Sequence, residues 1–327
     1  MIRTLLVLAS AALALAAPAP AAVGTSFPAD FPVLVDASLG TPVIGFGAAG
    51  TVERTPVILL HGNNDTPYPT ACNPFYGDVQ ALADALLARG YAPSELWALG
   101  YQGTQCDLAG DPTIRSSAAH ATAANVPDLR AFVRAVLDYT GAGRVDIVGH
   151  SLGGTLAREW MRQDHAWHLV RRLVTIDSPH HGIVDCSPNP ANYWQLPALG
   201  GFTPDSAVCR EYGAADTPFL EALNRVETPG PTRALAIRNA DTSFVYFPSA
   251  DGLLAGVPAE DRLGRPHDFS GSARLEGPLA TNVALVGQGR YDAILGTAHL
   301  GILNSPETWA LVADFLTAPN GSVGGPR

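Results

Sequence analysis

The chain has 327 residues with 20 basic and 30 acidic side chains, a formal net charge of −10 and no basic cluster. That balance excludes nucleic acid as the partner class. Beyond the N-terminus no apolar run is long enough to cross a bilayer, so the mature chain is expected to lack a transmembrane segment.

Residues 1–22 read as a secretory signal peptide: Arg3 is the basic n-region, Leu5 to Ala17 the apolar h-region, and the Ala/Pro stretch to Ala22 supplies small-residue cleavage sites. The expected destination is extracellular or periplasmic. Residues 23–327 fall within the size of one large catalytic α/β domain. Its cysteines, Cys72, Cys106, Cys186 and Cys209, are even in number, and in an exported chain they suggest two local disulfides, with nearest neighbours paired.

In chain order, short β-branched runs alternate with helical stretches. Strands are expected at Pro56–Leu60, Leu96–Leu99, Val145–Val148, Leu173–Ile176, Ala234–Ile237 and Val283–Val286. Helices are expected over Asp78–Arg89 before Gly90, Pro127–Tyr139 before Gly141, Leu152–Gln163, and from Ser305-Pro306 to Leu316. This alternation predicts an α/β fold with a mostly parallel central sheet and helices on both faces. Residues 182–231 break the rhythm with prolines, Tyr193, Trp194, Phe202 and the second cysteine pair; an irregular insertion of that length is expected to act as a lid, a cap or a pinned surface excursion. The pair Arg171-Arg172 reads as a solvated strand entrance.

The chemistry centres on Gly149-His150-Ser151-Leu152-Gly153-Gly154, a G-x-S-x-G motif between a buried strand and a helix. Such a strand–turn–helix holds a serine exposed on a strained turn, with glycines where side chains would collide and a helix N-terminus behind it. A serine hydroxyl needs a base to take its proton and an acid to orient that base. His299, in the small-residue loop Gly296–Gly301 before the last helix, is the expected base. His267, in a polar loop too early in the order, is expected at the surface. Asp241, just past the strand through Ala240, takes first place as the acid, with Asp251 and Asp177 as alternatives. The oxyanion needs two donors: the N–H of Leu152, and the N–H of Asn63 in His61-Gly62-Asn63 after the first strand. His180, His181 and Asp185 beside Cys186 offer a rival metal reading, which no C-x-x-C spacing supports.

Leu59–Asn63, Gly149–Gly154, Thr175–Gly182 and Ala298–Gly301 together resemble secreted bacterial lipases of the α/β-hydrolase fold, in particular small class 2 lipases and the extracellular polyhydroxybutyrate depolymerases related to them. The resemblance runs from about Thr55 to Leu316 and implies Ser151 as nucleophile, His299 as base, Asp241 as acid, and Asn63 with Leu152 as the oxyanion hole. The small members lack a lid, so the insertion is a departure. The expected activity is hydrolysis of acylglycerols or fatty esters through an acyl-enzyme, with no metal or organic cofactor, at a lipid or polymer surface. Polyhydroxyalkanoate depolymerisation, acyl transfer to an alcohol and an inert binding protein are the alternatives.

Overall fold

The computed structural model describes residues 22–75, 79–106, 110, 120–186, 201–203, 205–214, 216–240, 260–269, 271–294 and 296–319. The signal segment, Tyr193, Trp194, Asp241 and Asp251 lie outside them. Among the described residues no helix is long and apolar enough to cross a membrane.

The strands are β1 (Ile44–Phe46), β2 (Val57–Leu60), β3 (Leu96–Gly100), β4 (Val145–His150), β5 (Val170–Ile176), β6 (Arg233–Asn239) and β7 (Ala280–Leu285). They form one sheet in the order β1-β3-β2-β4-β5-β6-β7, parallel throughout except that β1 runs antiparallel to β3. β1 had no counterpart among the expected strands, since three residues centred on Gly45 give no alternation to read.

The helices are α1 (Gln80–Ala88), α2 (Thr122–Thr140), α3 (Leu152–Asp164), α4 (Ala207–Tyr212), α5 (Pro218–Leu223), α6 (Ala298–Gly301) and α7 (Pro306–Thr317). Because successive strand residues point to opposite faces, β2 serves two cores. Val57 and Leu59 meet Leu82 and Leu86 of α1 and Val312 and Leu316 of α7. Ile58 and Leu60 meet Phe132 and Val136 of α2 and Leu156 and Trp160 of α3. Burial on both faces explains why the strands read as continuous apolar runs.

Two expectations are corrected by long-range partners. Helix α2 begins at Thr122, ahead of the expected Pro127, which lies inside it. Its free N-terminal groups are satisfied from α4: the Glu211 carboxylate accepts from Thr122 N at 2.6 Å and Ala123 N at 3.1 Å. The pair Arg171-Arg172 is not a solvated entrance. Arg171 grips Asp146 at 3.0 Å through Nε and donates to the Leu316 carbonyl at 2.8 Å; Arg172, 1 % exposed, reaches the carbonyls of Phe315 and Ala318. Two cations thus hold the negative end of α7 against the sheet.

Both expected disulfides form, Cys72–Cys106 and Cys186–Cys209, closing sequence separations of 34 and 23 residues. In the chain-entropy model each restricts the unfolded chain by about 3–4 kcal/mol. The second fastens α4 to the segment after β5. Around it the insertion docks on α3: Leu152 is buried among Cys186, Val208, Cys209, Tyr212, Leu220 and Leu223. Tyr212 donates to Thr155 Oγ1 at 2.7 Å, and Thr155 donates on to the Leu152 carbonyl at 2.9 Å. The guanidinium of Arg158, also fully buried, donates to Asn224 Oδ1 and to the Leu223 carbonyl at 3.1 Å.

An ion pair closes the edge of this region. His181 donates through Nε2 to Glu227 at 2.8 Å and through Nδ1 to the Ser272 carbonyl at 3.2 Å, which needs both ring nitrogens protonated. Burial pulls His181 down, but the hydrogen bond and charge of Glu227 more than offset it and hold His181 above its ordinary value. For Glu227 burial pushes up, and the bonds from His181 and Glu276 N bring it below the usual carboxylate range. The raised histidine contributes stability below its unfolded pKa and loses it as pH rises through the folded one; the depressed glutamate loses its share in acid. Glu227→Gln is therefore expected to lower the melting temperature by about 2–4 °C near pH 5.5 and by less near pH 8.5. Scanning calorimetry at the two pH values checks this, and an equal loss at both would remove the ion pair as the cause.

Candidate active site

The site lies where β4 and β5 end. All six residues of β4 are buried, and the chain then turns through Ser151 at φ 50°, ψ −125° before Leu152 opens α3. That left-handed φ is costly for a residue with a Cβ; Ser151 N bonds to the Ile176 carbonyl at 2.8 Å, tying the turn to β5. A Cβ on Gly149 would stand 2.4 Å from Gly154 N, and one on Gly153 would stand 2.5 Å from the His61 carbonyl oxygen. Both glycines are sterically required, as the motif implied.

His299 arrives from the other end of the chain, in the short helix α6. Its loop is shaped by Asp292, whose carboxylate accepts from Thr297 N at 2.9 Å and Thr297 Oγ1 at 2.6 Å. The imidazole places Nε2 3.0 Å from Ser151 Oγ and Nδ1 2.6 Å from Asp177 Oδ2. The carboxylate on Nδ1 is that of Asp177, one of the alternatives read from the sequence; Asp241, to which chain order gave first place, lies outside the described residues. Nδ1 has one hydrogen to give, and Asp177 takes it. Asp177 follows β5 directly, at φ 49°, with its N–H bonded to the Ile237 carbonyl at 2.7 Å.

Asp177 is fully buried. Burial pushes its carboxyl up, but the hydrogen bond and charge of His299, with two bonds from Asn239, bring it below the usual carboxylate range. Asn239, the last residue of β6, donates from its backbone N to Oδ1 and from Nδ2 to Oδ2, both at 3.1 Å. Asp177 is thus anionic at neutral pH.

Two further residues bear on His299 and Ser151 without having been singled out in the sequence. His150, inside the motif itself, is buried, and burial takes its pKa down to about 3. It is neutral, and with a carbonyl at Nε2 its proton must sit there, donating to His299 O at 2.9 Å. His61 is likewise buried and lowered to about 4, and stacks flat on Tyr101 at 4.2 Å. Neither has a sequence signal beyond its neighbourhood to a motif glycine.

The loop after β2 passes beside the serine, since a Cβ on Gly62 would lie 3.0 Å from Ser151 Cβ. Asn63 follows it, half-buried. On the other side, the N–H of Leu152 heads α3, where helix geometry supplies no carbonyl for it. His267 is half-buried, edge-on to Phe269 at 4.3 Å. The residues of the metal reading are engaged separately: His180 with Arg158 and Thr175 at 3.1 Å, His181 with Glu227, and Cys186 in its disulfide. Chemically, the arrangement can pass a proton from a hydroxyl to an imidazole that a buried carboxylate holds in one tautomer.

A sheet of this order with a serine turn after β4 and an imidazole loop before the last helix defines an α/β-hydrolase fold. Residues 54–228 match the class 2 lipase family, and the chain belongs to it. The match ends before His299. Among solved structures, the chain is similar to the mature form of a Bacillus licheniformis lipase, with 18 % identity over 84 % of this chain and 98 % of that one and a TM-score of 0.50. It is also similar to lipase B of Aspergillus fumigatus, at 17 % identity over 84 % of this chain and a TM-score of 0.48; the match spans 56 % of that lipase.

Replacing Asp177 by Asn is expected to lower kcat by about 10⁴-fold while leaving the fold intact, because the amide favours the wrong imidazole tautomer. Asp241→Asn measured beside it should retain turnover. The opposite pattern would return the acid to Asp241.

Proposed function

We propose that the chain is an exported, serine-dependent carboxylic-ester hydrolase acting on fatty esters, acylglycerols first. The observation that carries this reading is the unbroken relay from Ser151 Oγ through His299 to Asp177, at 3.0 and 2.6 Å. Ser151 Oγ attacks the ester carbonyl while its proton passes to His299 Nε2. Asp177 stabilises the imidazolium and fixes its orientation, and Asn239 and His150 hold acid and base in place. The oxyanion that forms is held by the N–H groups of Leu152 and Asn63, each worth about 2.7–4 kcal/mol in the transition state. The tetrahedral intermediate collapses, the alcohol leaves with the proton of His299, and an acyl-Ser151 ester remains. Water then attacks this ester as His299 takes its proton, and the acid is released with Ser151 restored.

The class 2 lipase family supports an ester substrate, and the name lipase on the Bacillus protein agrees with it. The two disulfides suit an oxidising compartment and so support export.

Hydrolysis of p-nitrophenyl esters from acetyl to palmitoyl, beside Ser151→Ala, tests the reading. Activity that persists or rises with acyl length and vanishes in Ser151→Ala is expected. Activity confined to the shortest acyl chains would move the substrate to small esters or a polyester, product ester formed with added alcohol in place of acid would make the enzyme an acyltransferase, and activity unchanged in Ser151→Ala would sink the mechanism.

A further inference from the structure

The segment Tyr101-Gln102-Gly103-Thr104-Gln105, directly after β3, meets the loop His61–Asp65 residue by residue. Tyr101 OH donates to the His61 carbonyl at 2.7 Å. The Gln102 carboxamide makes a two-point contact: Nε2 donates to Asn63 Oδ1 at 3.2 Å and Oε1 accepts from Asn64 N at 2.8 Å. Gln105 Nε2 donates to the Asp65 carbonyl and to Gln102 Oε1, both at 3.3 Å. From the far side His120 Nδ1 donates to the same Asn63 Oδ1 at 2.8 Å.

Gln102 is fully buried and Gln105 is 5 % exposed. Burying two primary carboxamides is unfavourable unless their groups are used. The backbone carries a cost too: Asn64 at φ 61° and Gln105 at φ 67° adopt a left-handed conformation that residues with a Cβ avoid. Strain and buried amides concentrate on the three residues that bracket the Asn63 peptide. An apolar side chain could fill the space of Gln102 but would withdraw the acceptor that Asn64 N uses.

We propose that Gln102 is a positioning residue for the oxyanion hole, clamping Asn63 and Asn64 so that the Asn63 N–H is aimed at the oxyanion before substrate arrives, with Gln105 bracing the clamp. This rests on the assignment of Ser151 as nucleophile and Asn63 as donor. An oxyanion donor is effective only when its dipole is fixed in advance, and a displacement of about 1 Å costs on the order of 10²-fold in rate. The bidentate contact restrains both Asn63, through its side chain, and the peptide that follows it. The bond to the Asn63 side chain alone would leave that peptide unrestrained. The Cys72–Cys106 disulfide follows Gln105 at once, and Thr70 Oγ1 donates to the Thr104 carbonyl at 2.9 Å, so the clamp is itself anchored.

Gln102→Met, which keeps the volume and removes both hydrogen bonds, is the first test, with Gln102→Glu, which keeps only the acceptor facing Asn64, beside it. Using a soluble short-chain p-nitrophenyl ester, kcat is expected to fall about 10- to 100-fold in both, with KM changed less than about threefold. The pH dependence of kcat/KM should keep its midpoint, because His299 and Asp177 are untouched. Phosphonylation by a fluorophosphonate should slow by a similar factor. Gln105→Met, a milder disturbance that leaves Gln102 in place, should show the same pattern to a smaller degree and stands in if the Gln102 variants do not fold. Wild-type kcat in a folded Gln102→Met, or a loss of kcat with a moved pH midpoint, overturns the clamp. Activity surviving Ser151→Ala in the same assay would instead overturn the assignment beneath it, and the two failures are told apart by that control.

Discussion

A buried carboxylate sets the terms for the whole site. Asp177 has no access to water, and an isolated ionised group there would carry a penalty of several kcal/mol. Three hydrogen bonds offset it, from His299, Asn239 N and Asn239 Nδ2. Those donors come from β6 and from His299 of α6, which lies 122 residues beyond Asp177, so satisfying one charge brings three separate parts of the chain together. With His299 fixed in that way, its Nε2 has only one place to be, and β4 delivers Ser151 to it. Misplacing any one of these donors would leave the buried charge with fewer partners.

The sheet makes this possible by order as much as by rigidity. β4 and β5 are neighbours, so Ser151 and Asp177 stand at adjacent strand ends, while β6 contributes the carboxamide of Asn239. The serine turn borrows stability from β5 through the bond to Ile176. The Cys186–Cys209 region packs on the first turn of α3, where Leu152 is buried in its core. Chemistry and packing share residues here.

How legible this was depended on the range of the forces involved. Ser151 and His299 could be read because a turn this tight demands glycines at fixed spacing and because chain order leaves few candidate bases. The parallel sheet was legible in its continuous apolar runs, a local property. Asp177 was not, because a carboxylate after a strand looks the same in sequence whichever strand neighbours the histidine loop; Asp241 satisfied the usual order equally well. The start of α2 was misplaced because its cap, Glu211, is 89 residues distant from Thr122. Arg171 and Arg172 looked solvated because the carbonyls they hold belong to a helix more than 140 residues away. The α2 start and the two arginines were settled by long-range polar contacts, for which a sequence carries no period.

The docking of the cap on Leu152 has an evolutionary corollary. A loop that only shades a binding groove can be shortened or exchanged by successive small deletions, each tolerated by itself. Here the same deletion would strip the apolar cover from the residue that opens α3 and from buried Arg158 one turn and a half further along. Any lineage that lost the segment would have had to repack that helix face at the same time. Diversity in this part of the fold is therefore expected to come by wholesale replacement, not by trimming.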